Sequence, residues 1–179
     1  MEKTLRPGSL MFWSRLGIMG TLVAILTWGS AAAGPRTGYF IEFRSRPDYL
    51  FGHTYIVYGR LDGRGRPAEI RYAGRYPLDG ERGLVIGSFI PVPASVHAVK
   101  DDYRRQPTNV YRRRLSPQQF ARLIGLVRRL RADDRWWNLL FANCNDFAIT
   151  VARGLGMRTP PSWLLPKDFV ARLRAMNEG

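Results

Sequence analysis

An α+β domain, in which an antiparallel sheet packs against a helix carrying the only cysteine, is the fold class this sequence predicts. Three observations lead there. After residue 38 the chain offers short aromatic and β-branched runs broken by Gly, Pro and Asp, the pattern of strands and tight turns. After Ser116 apolar residues recur three and four apart, the helical period. The single cysteine, Cys144, falls where one of those helical periods begins.

The front of the 179-residue chain is different in kind. Lys3, Arg6 and Arg15 precede an uncharged, mainly apolar run from Leu16 to Trp28, and Ala31-Ala32-Ala33 follows. A basic leader, an apolar stretch of roughly 7–15 residues and a small-residue cleavage site are the parts of a secretory signal, and the run is shorter than the ~20 residues of a spanning helix. Residues 1–33 are therefore expected to be a cleaved signal peptide, with an uncleaved N-terminal membrane anchor as the alternative. No cysteine borders the cleavage site, which excludes a lipid-anchored lipoprotein. Residues 34–179 have no internal repeat and no linker, and make one domain expected in the periplasm or outside the cell.

Charge narrows the partners. Lys and Arg outnumber Asp and Glu 28 to 14, a formal net charge of +14. A basic surface of that size attracts polyanions. For an exported protein these are anionic lipid head groups or envelope polymers, and no specific nucleic acid is expected. Apart from Lys3, Lys100 and Lys167 the basic residues are arginines, a skew that codon composition alone can produce.

Taken in order, Tyr39 to Phe43 reads as a first strand and Arg44 to Asp48 as a loop. Phe51 to Arg60, dominated by β-branched and aromatic residues, is a second strand. Its alternation sets His53, Tyr55 and Val57 on one face and Thr54, Ile56 and Tyr58 on the other. Asp62 to Pro67 is a turn, and Ala68 to Ala73 returns as the hairpin partner. Gly83 to Phe89 reads as another strand, while His97 sits between a proline-broken stretch and Asp101-Asp102. Asn109 to Leu115 is a strand leading into a helix. Ser116-Pro117-Gln118-Gln119 is a capping box with proline at the first helical position, followed by an apolar face of Phe120, Leu123, Ile124, Val127 and Leu130. Thr159 to Pro166 must run extended, and a terminal helix follows with Phe169, Val170, Leu173 and Met176 on its apolar face.

The cysteine helix carries the chemistry. Phe147, Ala148, Val151 and Leu155 give its apolar face, Asn143 is its N-cap, and Asp146 stands where the third residue of a capping box stands. Cys144 thus occupies the first turn, where unpaired N–H groups and the helix dipole favour thiolate over thiol. The alternative is a small buried apolar residue. An exported cysteine without a partner in its own chain is reactive or awaits an intermolecular bridge, which raises the catalytic reading. A nucleophilic thiol needs a base, and imidazole suits that at neutral pH. Of His53 and His97, His53 lies on the better strand and is the choice.

His53 in Gly52-His53-Thr54-Tyr55-Ile56-Val57-Tyr58-Gly59, followed far downstream by Asn138-Leu139-Leu140 and Asn143-Cys144-Asn145-Asp146-Phe147, resembles the circularly permuted papain-like (NlpC-like) thiol hydrolases. The closest likeness is to PPPDE-type thiol peptidases, with a comparable histidine strand and an Asn-Cys-Asn-x-Phe helix start. Lecithin:retinol acyltransferase-like enzymes share the order, histidine first and cysteine last. The resemblance implies a permuted papain-like fold, Cys144 as nucleophile, His53 as base, and the Cys144 N–H in an oxyanion site. Glu69, on the neighbouring strand, is a candidate third polar member. No metal and no cofactor are expected.

The expected function is that of an exported cysteine-dependent hydrolase, an amidase, peptidase or acyltransferase working through a Cys–His dyad. Cell-wall peptide is the first expected substrate and membrane lipid ester the second. The alternative is a non-catalytic, basic, envelope-binding module of the same fold. The oligomeric state is not legible in the sequence.

Overall fold

The computed structural model describes residues 38–48, 50–133 and 135–178. The expected signal peptide, residues 1–33, lies outside the described residues. Six strands and five helices follow one another in the order β1 (Gly38–Arg46), β2 (His53–Leu61), β3 (Pro67–Pro77), α1 (Gly80–Gly87), β4 (Val92–His97), α2 (Lys100–Arg104), β5 (Asn109–Leu115), α3 (Pro117–Asp133), β6 (Trp136–Trp137), α4 (Cys144–Gly154) and α5 (Pro166–Asn177). The sheet order is β5-β1-β2-β3-β4-β6, and every neighbouring pair is antiparallel.

The β2–β3 turn forms because Asp62 closes it. Its Oδ1 accepts N–H bonds from Arg64 and Arg66, both at 2.8 Å, and Gly65 supplies the left-handed residue at φ 75°. The strand faces alternate as the sequence requires. Ile41, Phe43, Ile56, Tyr58, Ala73, Val96, Tyr111 and Leu115 face α3, α4 and α5 and make the main core with Leu123, Phe147, Val151, Phe169 and Leu173. Burying each such side chain contributes roughly 1.5–3 kcal/mol. On the opposite face of the sheet Phe40, Tyr55, Val57 and Leu61 form a second cluster.

The helix boundaries follow local chemistry. At α3 the Ser116 hydroxyl accepts from the Gln119 N–H and the Gln119 side chain accepts from the Ser116 N–H, the reciprocal box expected there. At α5 Pro166 fills the first helical position, where its missing N–H costs nothing.

One expected strand is a helix. Gly83 to Phe89 reads as β by its apolar run, yet Gly80–Gly87 is helical. Gly83 and Gly87, four apart, share the buried face, and the helix lies flush on Pro77 and Trp137. The i, i+4 glycine pair is the helical signal that the apolar run masks. The stretch around His97 is likewise regular, forming β4 between β3 and β6.

The contact at Gly87 makes a stability prediction. A Cβ there would stand 2.4 Å and 2.7 Å from ring carbons of Trp137 and 3.0 Å from Val92. Gly87→Ala is expected to destabilise by about 1–3 kcal/mol through overpacking, measured as a shift in the urea midpoint. Gly63→Ala, where a Cβ meets nothing within 4 Å, is the control expected to be neutral. Equal midpoints for the two variants would contradict the packing described.

Candidate active site

Cys144 begins α4 because Asn143 stops the chain short of helix and caps it. Asn143 Oδ1 accepts from the N–H groups of Asn145 (2.7 Å) and Asp146 (3.1 Å), and Asp146 Oδ2 accepts from the Asn143 N–H (2.9 Å). This is the predicted capping box. The Asn143 amide also donates to the Leu139 carbonyl at 2.8 Å. Asn138 holds the loop before it: Oδ1 accepts from Leu140 and Phe141 N–H, and Nδ2 donates to the Gly87 carbonyl at 2.9 Å.

Asn145 does more than follow the cysteine. Its Nδ2 donates to the carbonyls of Ser162 (2.9 Å) and Leu164 (2.7 Å), while its Oδ1 accepts from the Thr54 hydroxyl at 2.6 Å. A buried amide satisfied on both ends fixes the start of α4, the start of β2 and the 162–165 segment to one another. Thr54, which the sequence places only on the face of β2 opposite His53, is thereby part of the site.

Backbone N–H groups of Thr54, Asn145 and Cys144 itself act to lower the thiol pKa, as expected at a helix start. Burial outweighs them: Cys144 is 8 % exposed, and its thiol is pushed up from the usual cysteine value, with Asp146 adding to the rise. The expectation of a thiol lowered by the helix N-terminus is corrected on this point, because desolvation exceeds what the donors return.

Cys144 and His53 line the same cleft, a cavity of about 320 Å³. Most of its wall is apolar, with Leu50, Phe51, Leu84, Trp137, Leu140 and Trp163 prominent. His53 opens β2, one residue before Thr54, and its ring lies on the Tyr55 side of the strand. It stacks on Tyr76, with ring centroids 4.2 Å apart. Its Nε2 is buried without a hydrogen-bond partner, turned toward Gly74, where a Cβ would come within 2.8 Å of it. Burial, then the charge of Arg46 and then His97, holds the imidazole well below its usual pKa, so it is neutral at pH 7.

Behind His53 lies a buried polar cluster that the sequence did not single out. Arg46, opposite His53 in the β1–β2 register, donates through Nε to Asp102 Oδ1 at 3.0 Å and through Nη1 to Asp48 at 3.0 Å. The Tyr76 hydroxyl lies 2.6 Å from both Asp102 oxygens, and the Val99 N–H donates to Oδ2 at 3.1 Å. Burial and the adjacent Asp102 raise the Tyr76 phenol, so it remains a donor. His97 packs against Tyr76, bonds Ser95 through Nδ1, and does not line the cleft. The signals were the pairing of Arg46 with the strand start and the length of β3, which runs past Ala73 to bring Tyr76 beside His53.

Glu69 is elsewhere. It pairs with Arg60 at 3.2 Å, both side chains more than half exposed, toward the far end of β2. At about 3.3 Å per residue this is roughly 20 Å from His53. Its candidacy as third member is withdrawn, since the strand register puts Tyr76 and Gly74, not Glu69, beside the imidazole. Among the described residues no group of three or more His, Cys, Asp or Glu could hold a metal ion, and no helix is long and apolar enough to cross a membrane. Comparison with known proteins finds no matching family model, curated protein or solved structure.

Proposed function

We propose that this cleft is the active site of an exported cysteine-dependent hydrolase that opens an amide or ester of the cell envelope through a Cys144–His53 dyad on a permuted papain-like fold. The observation that carries the reading is that Cys144, at the head of α4, and His53, at the start of β2, line one mainly apolar cleft. The order of histidine strand before cysteine helix supports the permutation.

In this scheme thiol and imidazole both rest neutral. As Sγ bonds to the substrate carbonyl carbon, the His53 imidazole takes the thiol proton, and the carbonyl oxygen gains the electron pair. The backbone N–H of Cys144, at the head of α4, stabilises that oxyanion. Collapse expels the amine or alcohol, which takes the proton from the imidazolium and leaves a thioester on Cys144. Water, deprotonated by the same imidazole, then hydrolyses the thioester; an acceptor alcohol or amine in its place makes the reaction a transfer. The apolar walls favour an acyl group over a polar peptide.

The test is an acyl trap. Incubation with p-nitrophenyl butyrate is expected to add one butyryl group to Cys144, read by intact mass and peptide mapping, and to add none in Cys144→Ala. A chain that stays unmodified in both forms overturns the proposal.

The raised thiol favours a second reading, a non-catalytic basic module that binds an anionic envelope polymer. Under it, Cys144→Ala keeps polymer binding and release of the butyryl ester by the wild type is absent, while replacing exposed arginines abolishes binding.

A further inference from the structure

The walls of the cleft do not end at its mouth. Leu50, Phe51, Leu140, Trp163 and Leu165 line it and are also exposed, Trp163 at 76 %. Phe141, 81 % exposed, continues the apolar surface beside Leu140 into a groove shared with Trp136. Isolated apolar residues on a surface mean little, but a group gathered around one opening marks an interaction face. The collar comes from three separate segments, residues 50–51, 140–141 and 163–165. Asn145 and Asn143 tie the second and third together through the Ser162, Leu164 and Leu139 carbonyls, so the collar is built, not a frayed loop.

From this collar we infer that the protein seats the mouth of its cleft on an anionic lipid bilayer, with Trp163 and Phe51 entering the head-group region. Three features select a lipid surface as the occupant. A tryptophan flanked by leucines suits the interface, where an apolar body meets a polar boundary. The charge is complementary: the chain carries a formal net charge of +14. Near the collar itself Arg75 lines the cleft, and Arg172 lines the groove on the other side of Trp163. Asp48 and Asp168 line the same cleft and groove, so the attraction to an anionic surface comes from the charge of the chain as a whole. Apolar insertion together with basic residues is the combination that binds anionic membranes at the surface. With no spanning helix among the described residues, this face lies on the membrane, not through it.

The seat is independent of catalysis, because none of the collar residues is needed to move a proton or stabilise an oxyanion. The full chain is mixed with vesicles of phosphatidylcholine brominated in its acyl chains, with or without phosphatidylglycerol, and tryptophan quenching is read. The fraction of quenching that disappears in Trp163→Phe is the contribution of Trp163, separate from that of Trp13 or Trp28. Expected results are quenching of Trp163 by the phosphatidylglycerol vesicles, weakening as salt is raised. Affinity should fall about tenfold or more in Phe51→Ser/Trp163→Ser and match wild type in Cys144→Ser. The inference is overturned if the chain binds vesicles while Trp163 stays unquenched, since another part then makes the contact. It is equally overturned if no vesicle is bound, which leaves the collar to a protein partner.

Discussion

Asp102→Ala is expected to lower the free energy of unfolding by about 3–5 kcal/mol, the largest stability loss of any single change outside the main apolar core. The side chain of Asp102 is buried completely and its carboxylate accepts from three donors, Arg46 Nε, the Tyr76 hydroxyl and the Val99 N–H. Deleting it leaves the Arg46 guanidinium, itself buried, with only Asp48 and the Pro47 carbonyl, and takes the carboxylate from the Tyr76 hydroxyl and the Val99 N–H. Breaking one side of a buried pair costs more than the intact pair contributes. Hence the double variant Arg46→Met/Asp102→Leu, which removes both charges and keeps the volume, is expected to regain most of the loss. Urea midpoints measure both. If Asp102→Ala shifts the midpoint no more than a surface substitution does, the cluster is not the structural unit described.

That unit also serves the site. Tyr76 holds one face of the His53 ring, and Tyr76 is itself held by Asp102. The Arg46 charge contributes to keeping the imidazole neutral. A cluster that looks purely structural from its burial thus bears on both the place and the protonation state of the His53 imidazole.

What the sequence made legible followed from local rules. Asn143, Cys144 and Asp146 could be placed because a capping box is a contact between residues three apart. The strand at Asn109 to Leu115 and the helix starting at Pro117 were equally local. His53 could be put at a strand entry, and Cys144 at a helix head, without knowing that both line one cleft. What escaped depends on contacts distant in the chain. Burial of Cys144 reversed the direction of its pKa shift, and no local pattern reports desolvation. Glu69 was chosen from an assumed strand neighbour, but register decides neighbours, and β3 extends far enough to bring Tyr76 there instead. At Gly83 to Phe89 the apolar run suggested alternation, whereas the buried side belongs to two glycines that dock against Pro77 and Trp137.

The second large effect concerns the dyad. With its thiol raised and its imidazole lowered, the free protein holds Cys144 protonated and His53 unprotonated across a wide range around neutrality. If His53 takes the thiol proton during attack, acylation needs that neutral pair and nothing more. The rate should therefore be flat between the two pKa values, falling in acid only below the ordinary histidine range of about 6.5. Without the imidazole, reaction waits for free thiolate. It should then climb about tenfold per pH unit until beyond the ordinary cysteine value of about 8.5. Loss of a general base costs roughly 10²–10⁴ in rate, and at pH 7 His53→Ala is expected to fall within that span.

The pH profile of Cys144 acylation by p-nitrophenyl butyrate in wild type and His53→Ala is the direct measurement. A plateau through neutrality in the wild type, replaced in the variant by a steady rise toward alkaline pH, is the predicted result. Two superimposed profiles, both climbing with thiolate, would contradict the pairing of sulfur and imidazole on which the proposed chemistry stands.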